Sequence, residues 1–345
     1  MSEQAMAVGG LYETCIGVTN TVAAIRWWER FGFRAGRGGA LDAKAAKALY
    51  GHESAVTSVR LMHQDSDHGL VRLMQWQTPL NEGLGMSPIR SAGSRWSGQF
   101  TRSILEIDNH AQIAAEKGMA VKALPPTYID LSVVYPHLFP GGDPIPFDDR
   151  LVAVREYTLM TPLVRQVFFE RFNYESPLLG AFNDHCLFRS TQISHVSLIA
   201  HSDDADIFNF YIDALGLWIS GHKKTPYRET RAARLVFDLV EGEDHWYTDF
   251  DEPASGRTML DRRSGKIKCF RFPKSSPMVD AHERARPGVL GYSLYTWRVR
   301  DIEAAHKRAQ AAGATDMTDV LPDEFGRSAF SFRAPDGYVW TFIQA

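Results

Sequence analysis

The stretch "ISHVSLIAHS", residues 193–202, running through Asp203 and Asp204 into "ADIFNFYIDALGL", residues 205–217, decides how this chain is read. Its first part is an apolar run of the length and β-branched composition of a strand. Its second part sets Ile207, Phe210, Tyr211 and Ala214 on one helical stripe, with the two aspartates placed to cap the start and Gly216 to end it. One unit is therefore strand, cap, amphipathic helix, glycine. His195 interrupts the strand with a basic, metal-seeking side chain where core residues belong.

Working outward, the same plan occurs three more times. "YETCIGVTN" leads through Asn20 into "TVAAIRWWERFGF" and stops at Gly32. "GYSLYTWRVRD" leads into "IEAAHKRAQAAGA", with Ile302, Ala305, Ala309 and Ala312 at helical spacing and Gly313 at the end. "QFTRSILEIDN" passes into a shorter helix, "HAQIAAEKGMA", ending at Gly118. Strand-like runs follow the helices, such as "AVTSVRLMH", "GLVRLMQWQ", "ARLVFDLVE" and "KIKCFRFP". One helix per run of strands predicts an α+β fold of four βαβββ modules. A single module cannot bury both its helix and the far face of its sheet, so modules pair, and each pair of curved, mixed or antiparallel sheets encloses a cavity. The polar, turn-rich segment 173–192 sets the expected domains at residues 8–183 and 190–345.

At 345 residues, 44% hydrophobic, 12% aromatic and 23% charged, the chain has material for two packed cores. A formal charge of −3 exerts no global pull on nucleic acid or an anionic membrane. The densest basic run, "HKKTPYRETRAAR" (222–234), reads as a solvated loop and strand face. Cys15, Cys186 and Cys269 form no paired motif, so neither a disulfide framework nor a zinc knuckle is indicated. With no signal-like start and no apolar run long enough for a membrane span, a cytoplasmic location is expected. No phosphate loop, dinucleotide fingerprint, Gly-x-Ser-x-Gly elbow or His-Glu-x-x-His occurs.

The four-unit plan resembles the vicinal oxygen chelate superfamily, which takes in glyoxalases, bleomycin-resistance proteins and extradiol ring-cleaving dioxygenases. The residues that carry the resemblance are "HVSLIAHSDDADIFNFYIDALGL" (195–217) and the closing "FRAPDGYVWTFIQA" (332–345). It implies a divalent metal, Fe(II), Mn(II) or Zn(II), held by the first strands of two paired units and a closing strand. On that pattern His195 is the candidate metal ligand. The matching position of the fourth unit falls on Tyr292 or Leu294, and that of the closing strand on Thr341. These are poor donors, so the resemblance leaves either a degenerate metal site or none. His245, in "LVFDLVEGEDHWYTDF", falls where ring-cleaving relatives carry an acid/base histidine lining the cup. His245 and Tyr292 are the expected catalytic residues, with the active site in the C-terminal half.

The N-terminal half offers a second cup, with Glu13, Arg102 and Glu170 as its polar residues and an ion pair to Arg102 as the expected arrangement. Residues 125–150, dense in proline and glycine, predict a long loop that is either a binding element, with Tyr128, Tyr135, His137 and Phe139 able to touch a ligand, or a plain insertion or subunit contact. Arg102, Glu170 and His137 are thus expected substrate contacts. His63 and His68, in "MHQDSDH", read as a hairpin turn. Two functions stay open: an enzyme, dioxygenase-like or a lyase or isomerase, acting on a small oxygenated, aromatic substrate, or a protein of the bleomycin-resistance type that sequesters a ligand without a metal. Neither a nucleic-acid partner nor a membrane is expected, and homo-oligomerisation is left open.

Overall fold

A computed structural model describes residues 5–134, 145, 147–227, 231–258 and 261–345. The first unit runs β1 (Glu13–Gly17), α1 (Thr21–Glu29), β2 (Phe33–Leu41), α2 (Ala43–Tyr50), β3 (Val56–His63) and β4 (Leu70–Trp76). Asn20 caps α1 by accepting from Ala23 N at 2.9 Å. A two-residue strand, β5 (Ser91–Ala92), lies in the connection to the second unit: β6 (Arg95–Thr101), α3 (Ile104–Glu116), β7 (Lys122–Asp130), α4 (Leu131–Val134), β8 (Ala153–Met160) and β9 (Arg165–Phe172). The third is β10 (Ser190–His201), α5 (Phe210–Leu215), β11 (Trp218–Pro226), α6 (Arg231–Phe237), β12 (Asp244–Asp251) and β13 (Lys266–Phe272). After β14 (Val279–Asp280) comes the fourth: β15 (Gly291–Val299), α7 (Ile302–Ala311), β16 (Leu321–Pro322), β17 (Ser328–Arg333) and β18 (Val339–Gln344). Asp301 caps α7 through Ala304 N at 3.0 Å, and Gly216 ends α5 at φ +74°.

Three local expectations change. Residues 104–109, read as the end of a strand, are the first turns of α3, which buries Ile104, Ile107 and Ala111 at helical spacing. "ARLVFDLVE" begins inside α6, because an apolar run of this length satisfies a helix as well as a strand until tertiary contacts choose. The segment after residue 125 opens in β7, where Pro125 and Pro126 are accommodated at a bulge on an edge strand that needs no donors there.

The four units form two eight-stranded sheets, ordered β16-β17-β18-β15-β1-β4-β3-β2 and β11-β12-β13-β10-β6-β9-β8-β7. Pairing into two curved sheets is as expected; the choice of partners is not. The first unit joins the fourth through antiparallel β1 and β15, and the second joins the third through β6 and β10. Neither sheet therefore coincides with a sequence half. The segment 173–189 links two units of one sheet, whereas the connections 77–94 and 273–290 cross between sheets. Those crossings are tied together where β5 and β14 pair in parallel.

The helix-bearing faces of the two sheets share one core. Across it Phe31, in the turn after α1, stacks on Phe168 of β9, Trp27 Nε1 donates to Gln166 Oε1 at 3.1 Å, and Tyr295 Oη donates to Trp96 O at 3.0 Å. Each sheet's opposite, concave face forms a cup. The first is capped by α2, which buries Ala46, Leu49 and Tyr50, and the second by α6.

Candidate functional site

The cup of the first and fourth units is filled. The β16–β17 hairpin carries Glu324 and Phe325 into it, passing so close to β2 that a Cβ on Gly39 would lie 2.0 Å from Glu324 O. There Glu324 accepts from Tyr50 at 2.7 Å, Ser58 at 2.8 Å and Arg72 at 3.1 Å. Glu13 accepts from Arg60, Arg72 and Thr296, and the Arg60 guanidinium lies 4.0 Å from the Phe325 ring centroid. Burial alone would raise the Glu13 carboxyl, but Arg72 and Arg60 hold it down at about 2. Glu13 thus pairs with Arg60 and Arg72, not with Arg102.

The cup of the second and third units encloses a hollow of about 320 Å³. Strand alternation builds it. On β10, Val196, Leu198 and Ala200 enter the shared core while His195 and Ser197 face the hollow. On β13, Ile267 and Cys269 go to the core while Lys266, Lys268 and Phe270 face the hollow. α6 adds Ala232, Ala233, Val236 and Phe237, the one-turn spacing of a single helix face. Trp96, Phe100 and Phe169 supply the aromatic wall from the second unit.

His195 lies opposite Gly98 in the neighbouring strand, its ring where a side chain on that residue would be: a Cβ there would be 2.1 Å from His195 Cε1. Ser194 Oγ contacts Gly98 O at 3.1 Å and His195 Nδ1 at 2.9 Å. The hydroxyl has one proton, and the carbonyl accepts only, so that proton goes to Gly98 O. His195 Nδ1–H then donates to Ser194, which leaves the Nε2 lone pair as the reactive one. Burial, then Lys268 and Lys266, push the imidazole well below its usual range, so it is neutral at neutral pH.

Around it, Lys268 Nζ is 3.1 Å from Asp249, and Lys266 Nζ is 3.6 Å from both Asp249 and Asp251. Burial would raise Asp249, but the two ammonium groups prevail and lower it. Glu156 of β8 borders the same hollow, and burial pushes its carboxyl up to about 7 against the opposing pull of Lys268. His245 of β12 is nested among Phe237, Phe270 and Phe272; burial pushes it down to about 4. Its Nδ1, together with Thr225 Oγ1 and Ser197 Oγ, is buried without a hydrogen-bond partner among the described residues.

Of the residues expected from sequence, His195 and His245 meet in this hollow. Tyr292 does not: its Oη is 2.6 Å from Ser97 Oγ in the core between the sheets. A bulge at Ser293 pairs Cys15 with Leu294 but Ile16 with Tyr292, and places Tyr292 and Leu294 in different clusters, although simple alternation gives them one face. Thr341 bonds Ser331 in the other sheet at 2.7 Å. Arg102 is half-exposed, 3.2 Å from Asp184 and over the Phe182 ring. Glu170 pairs with Arg155 at 2.8 Å across β8 and β9. Tyr135, His137 and Phe139 lie outside the described residues. His63 is fully buried against Ser190 O at the start of β10, and His68 bonds Ser264 just before β13; among the described residues neither joins a metal-binding cluster. Glu156, Asp249, Lys266 and Lys268 were missed, although the alternation in "KIKCFRF" was the available signal for the two lysines.

The metal that the resemblance implies meets a donor set that does not fit it. Among the described residues no three His, Cys, Asp or Glu side chains converge to hold an ion. The first strands offer Gly98 and His195, and the closing strand β13 offers ammonium groups, which have no lone pair to give. Addition of Zn(II), Mn(II) or Fe(II) should leave the thermal midpoint within about 1 °C of its original value, since a ligand that does not bind the native state does not stabilise it. A marked rise, abolished by His195→Ala, would restore a metal site.

Residues 192–342 match the profile of the Glyoxalase/Bleomycin resistance protein/Dioxygenase superfamily. The whole chain has the four-module architecture of the vicinal oxygen chelate superfamily. It aligns with glyoxalase I from Zea mays over 97% of this chain and 92% of that one, with TM-score 0.52 and 13% identity. It aligns with a proposed dioxygenase from Bacillus subtilis over 99% and 86%, with TM-score 0.55 and 11% identity. At these identities the likeness is one of fold. No curated protein sequence matches the chain. No helix among the described residues is long and apolar enough to cross a membrane, and all three cysteines are free.

Proposed function

We propose that the chain is an enzyme of the vicinal oxygen chelate type that takes a small oxygenated aromatic molecule into the cup of its second and third units and moves a proton on it without a metal. The observation that carries this reading is the juxtaposition, around one aromatic-walled hollow, of a carboxyl with its pKa near 7 and two neutral histidines. Glu156 exchanges a proton readily near neutral pH, where an acid/base group is most effective. His245 and His195 are too weakly basic to compete for that proton, and serve as neutral hydrogen-bonding groups that orient the substrate's oxygens. The Trp96, Phe169 and Phe237 rings exclude water and stack on an aromatic face. An isomerisation or lyase step is the reaction class this favours.

The test is proton exchange in D2O with 2-hydroxyacetophenone as probe, followed by loss of the α-C–H signal in NMR spectra. Exchange catalysed by metal-stripped protein, titrating near pH 7 and abolished by Glu156→Gln with the fold intact, is the expected result. A loss of roughly 10²-fold or more is expected for that substitution, the usual contribution of a positioned acid or base. Probe binding with no exchange would overturn the enzymatic reading and favour sequestration, the role that the apolar wall performs unaided. Glu156 also sets a stability trend. Its raised pKa means the folded protein retains a proton that the unfolded chain releases, so its contribution is present below about pH 4.5 and declines as pH rises toward 7. Glu156→Gln should flatten that decline in urea unfolding.

A further inference from the structure

The charge balance of the hollow goes further than its shape. Lys266 and Lys268, two residues apart on β13, present their ammonium groups on one strand face, and Arg262 borders the same hollow. These three cations meet two carboxylates, Asp249 and Asp251, with Arg262 Nε 3.5 Å from Asp251. The remaining acid, Glu156, is held toward its neutral form by burial. Both histidines are neutral as well, so among the described residues at the cup the cations outnumber the ionised carboxylates at and below neutral pH. A divalent cation would add to that surplus, whereas an anion cancels it. The ammonium groups stand on the closing strand, where the resemblance expects a metal-binding carboxylate.

We propose that Lys266 and Lys268 perform the charge-stabilising role that a metal would otherwise fill, and that the ligand of this cup is an aromatic molecule carrying an anionic oxygen, either a carboxylate or a phenolate. Lys268 does this while paired with Asp249, because an ammonium has three protons to donate. Ser197, Thr225 and His245 line the same hollow. This inference rests on the reading of the second cup as the ligand site, and extends it to the charge of the ligand.

Calorimetric titration of the full chain with benzoate and with its neutral isostere benzamide tests it. Benzoate should bind at least about tenfold more tightly, as one charge-assisted contact in a partly dry site warrants. Lys268→Met and Lys266→Met should each remove most of that preference while leaving benzamide within about twofold, and Lys268→Arg should keep it. Should Lys268→Met fail to fold, Lys268→Met with Asp249→Asn removes both members of the pair and provides the same comparison. 4-Nitrophenol separates the two oxyanion sources: an absorbance-detected lowering of its apparent pKa in the cup assigns the phenolate, and benzoate preference without that lowering assigns the carboxylate. Equal binding of benzoate and benzamide, or a preference unmoved by the lysine substitutions, overturns the inference and leaves the cup as a ligand site. Failure of both probes to bind overturns the site and the inference together.

Discussion

Arg72→Met is expected to destabilise the protein by about 3–5 kcal/mol, the cost of stranding buried carboxylates without their cation. Arg72 is fully buried between Glu13 and Glu324, with Tyr50 Oη at 3.1 Å, and Met fills its volume without its charge. Urea unfolding measures the change, and ligand binding in the other cup separates roles: the midpoint should fall while benzoate affinity of the folded fraction stays within about twofold, because the two cups belong to different sheets. A midpoint shift under about 1 kcal/mol would show that the charged network is not what holds the first cup shut. Acid has the same target. The lowered pKa of Glu13 contributes stability that is complete above its ordinary value of 4.5 and is lost as pH falls toward about 2. Arg72→Met should therefore reduce the loss of stability over that window.

Gly98→Ala is expected to disable the second cup. The added methyl would lie 2.1–2.7 Å from three atoms of the His195 ring, and the strand beneath is held on both sides, so the ring must leave its place. Overpacking of this kind costs about 1–3 kcal/mol. The displaced imidazole would occupy ligand space, so benzoate binding should weaken by at least about tenfold. The clash is pairwise, which makes it separable by a double-mutant cycle. His195→Ala alone should cost binding modestly, and Gly98→Ala combined with His195→Ala should be more stable than the sum of the single changes implies. Strict additivity would mean that Gly98 is not required by the imidazole.

The contrast between the cups is the functional content of the fold. Similar units built both, and α2 and α6 close them in the same way. In one, a hairpin tip and an arginine–carboxylate network occupy the interior; in the other, aromatic rings line a hollow with a polar floor. The hollow is not confined to the C-terminal half in which the sequence reading expects the site. His195 and His245 come from the third unit, but the wall facing them, with Trp96, Phe169 and Glu156, comes from the second.

The sequence by itself determined the four units, the caps of the first and fourth unit helices and the glycine stops, and it singled out His195 and His245; Asp203 and Asp204 do not cap α5, which starts later, after Asn209. Those features rest on interactions within a few residues: a cap reaching three positions ahead, a stripe repeating every turn, a left-handed stop. Only the tertiary structure decided which units pair, which cup stays open, and which polar side chains share it. These are outcomes of contacts between residues far apart in the chain, such as the crossing tie of β5 with β14 and the meeting of Arg72 with Glu324. A single bulge at Ser293 moved Tyr292 out of its expected face, because one extra residue in a strand reverses the direction of those beyond it. Lys266 and Lys268 show the same limit from the other side. Alternation put them on one face of β13, but only the fold of the sheet around His195 made that face the floor of a hollow.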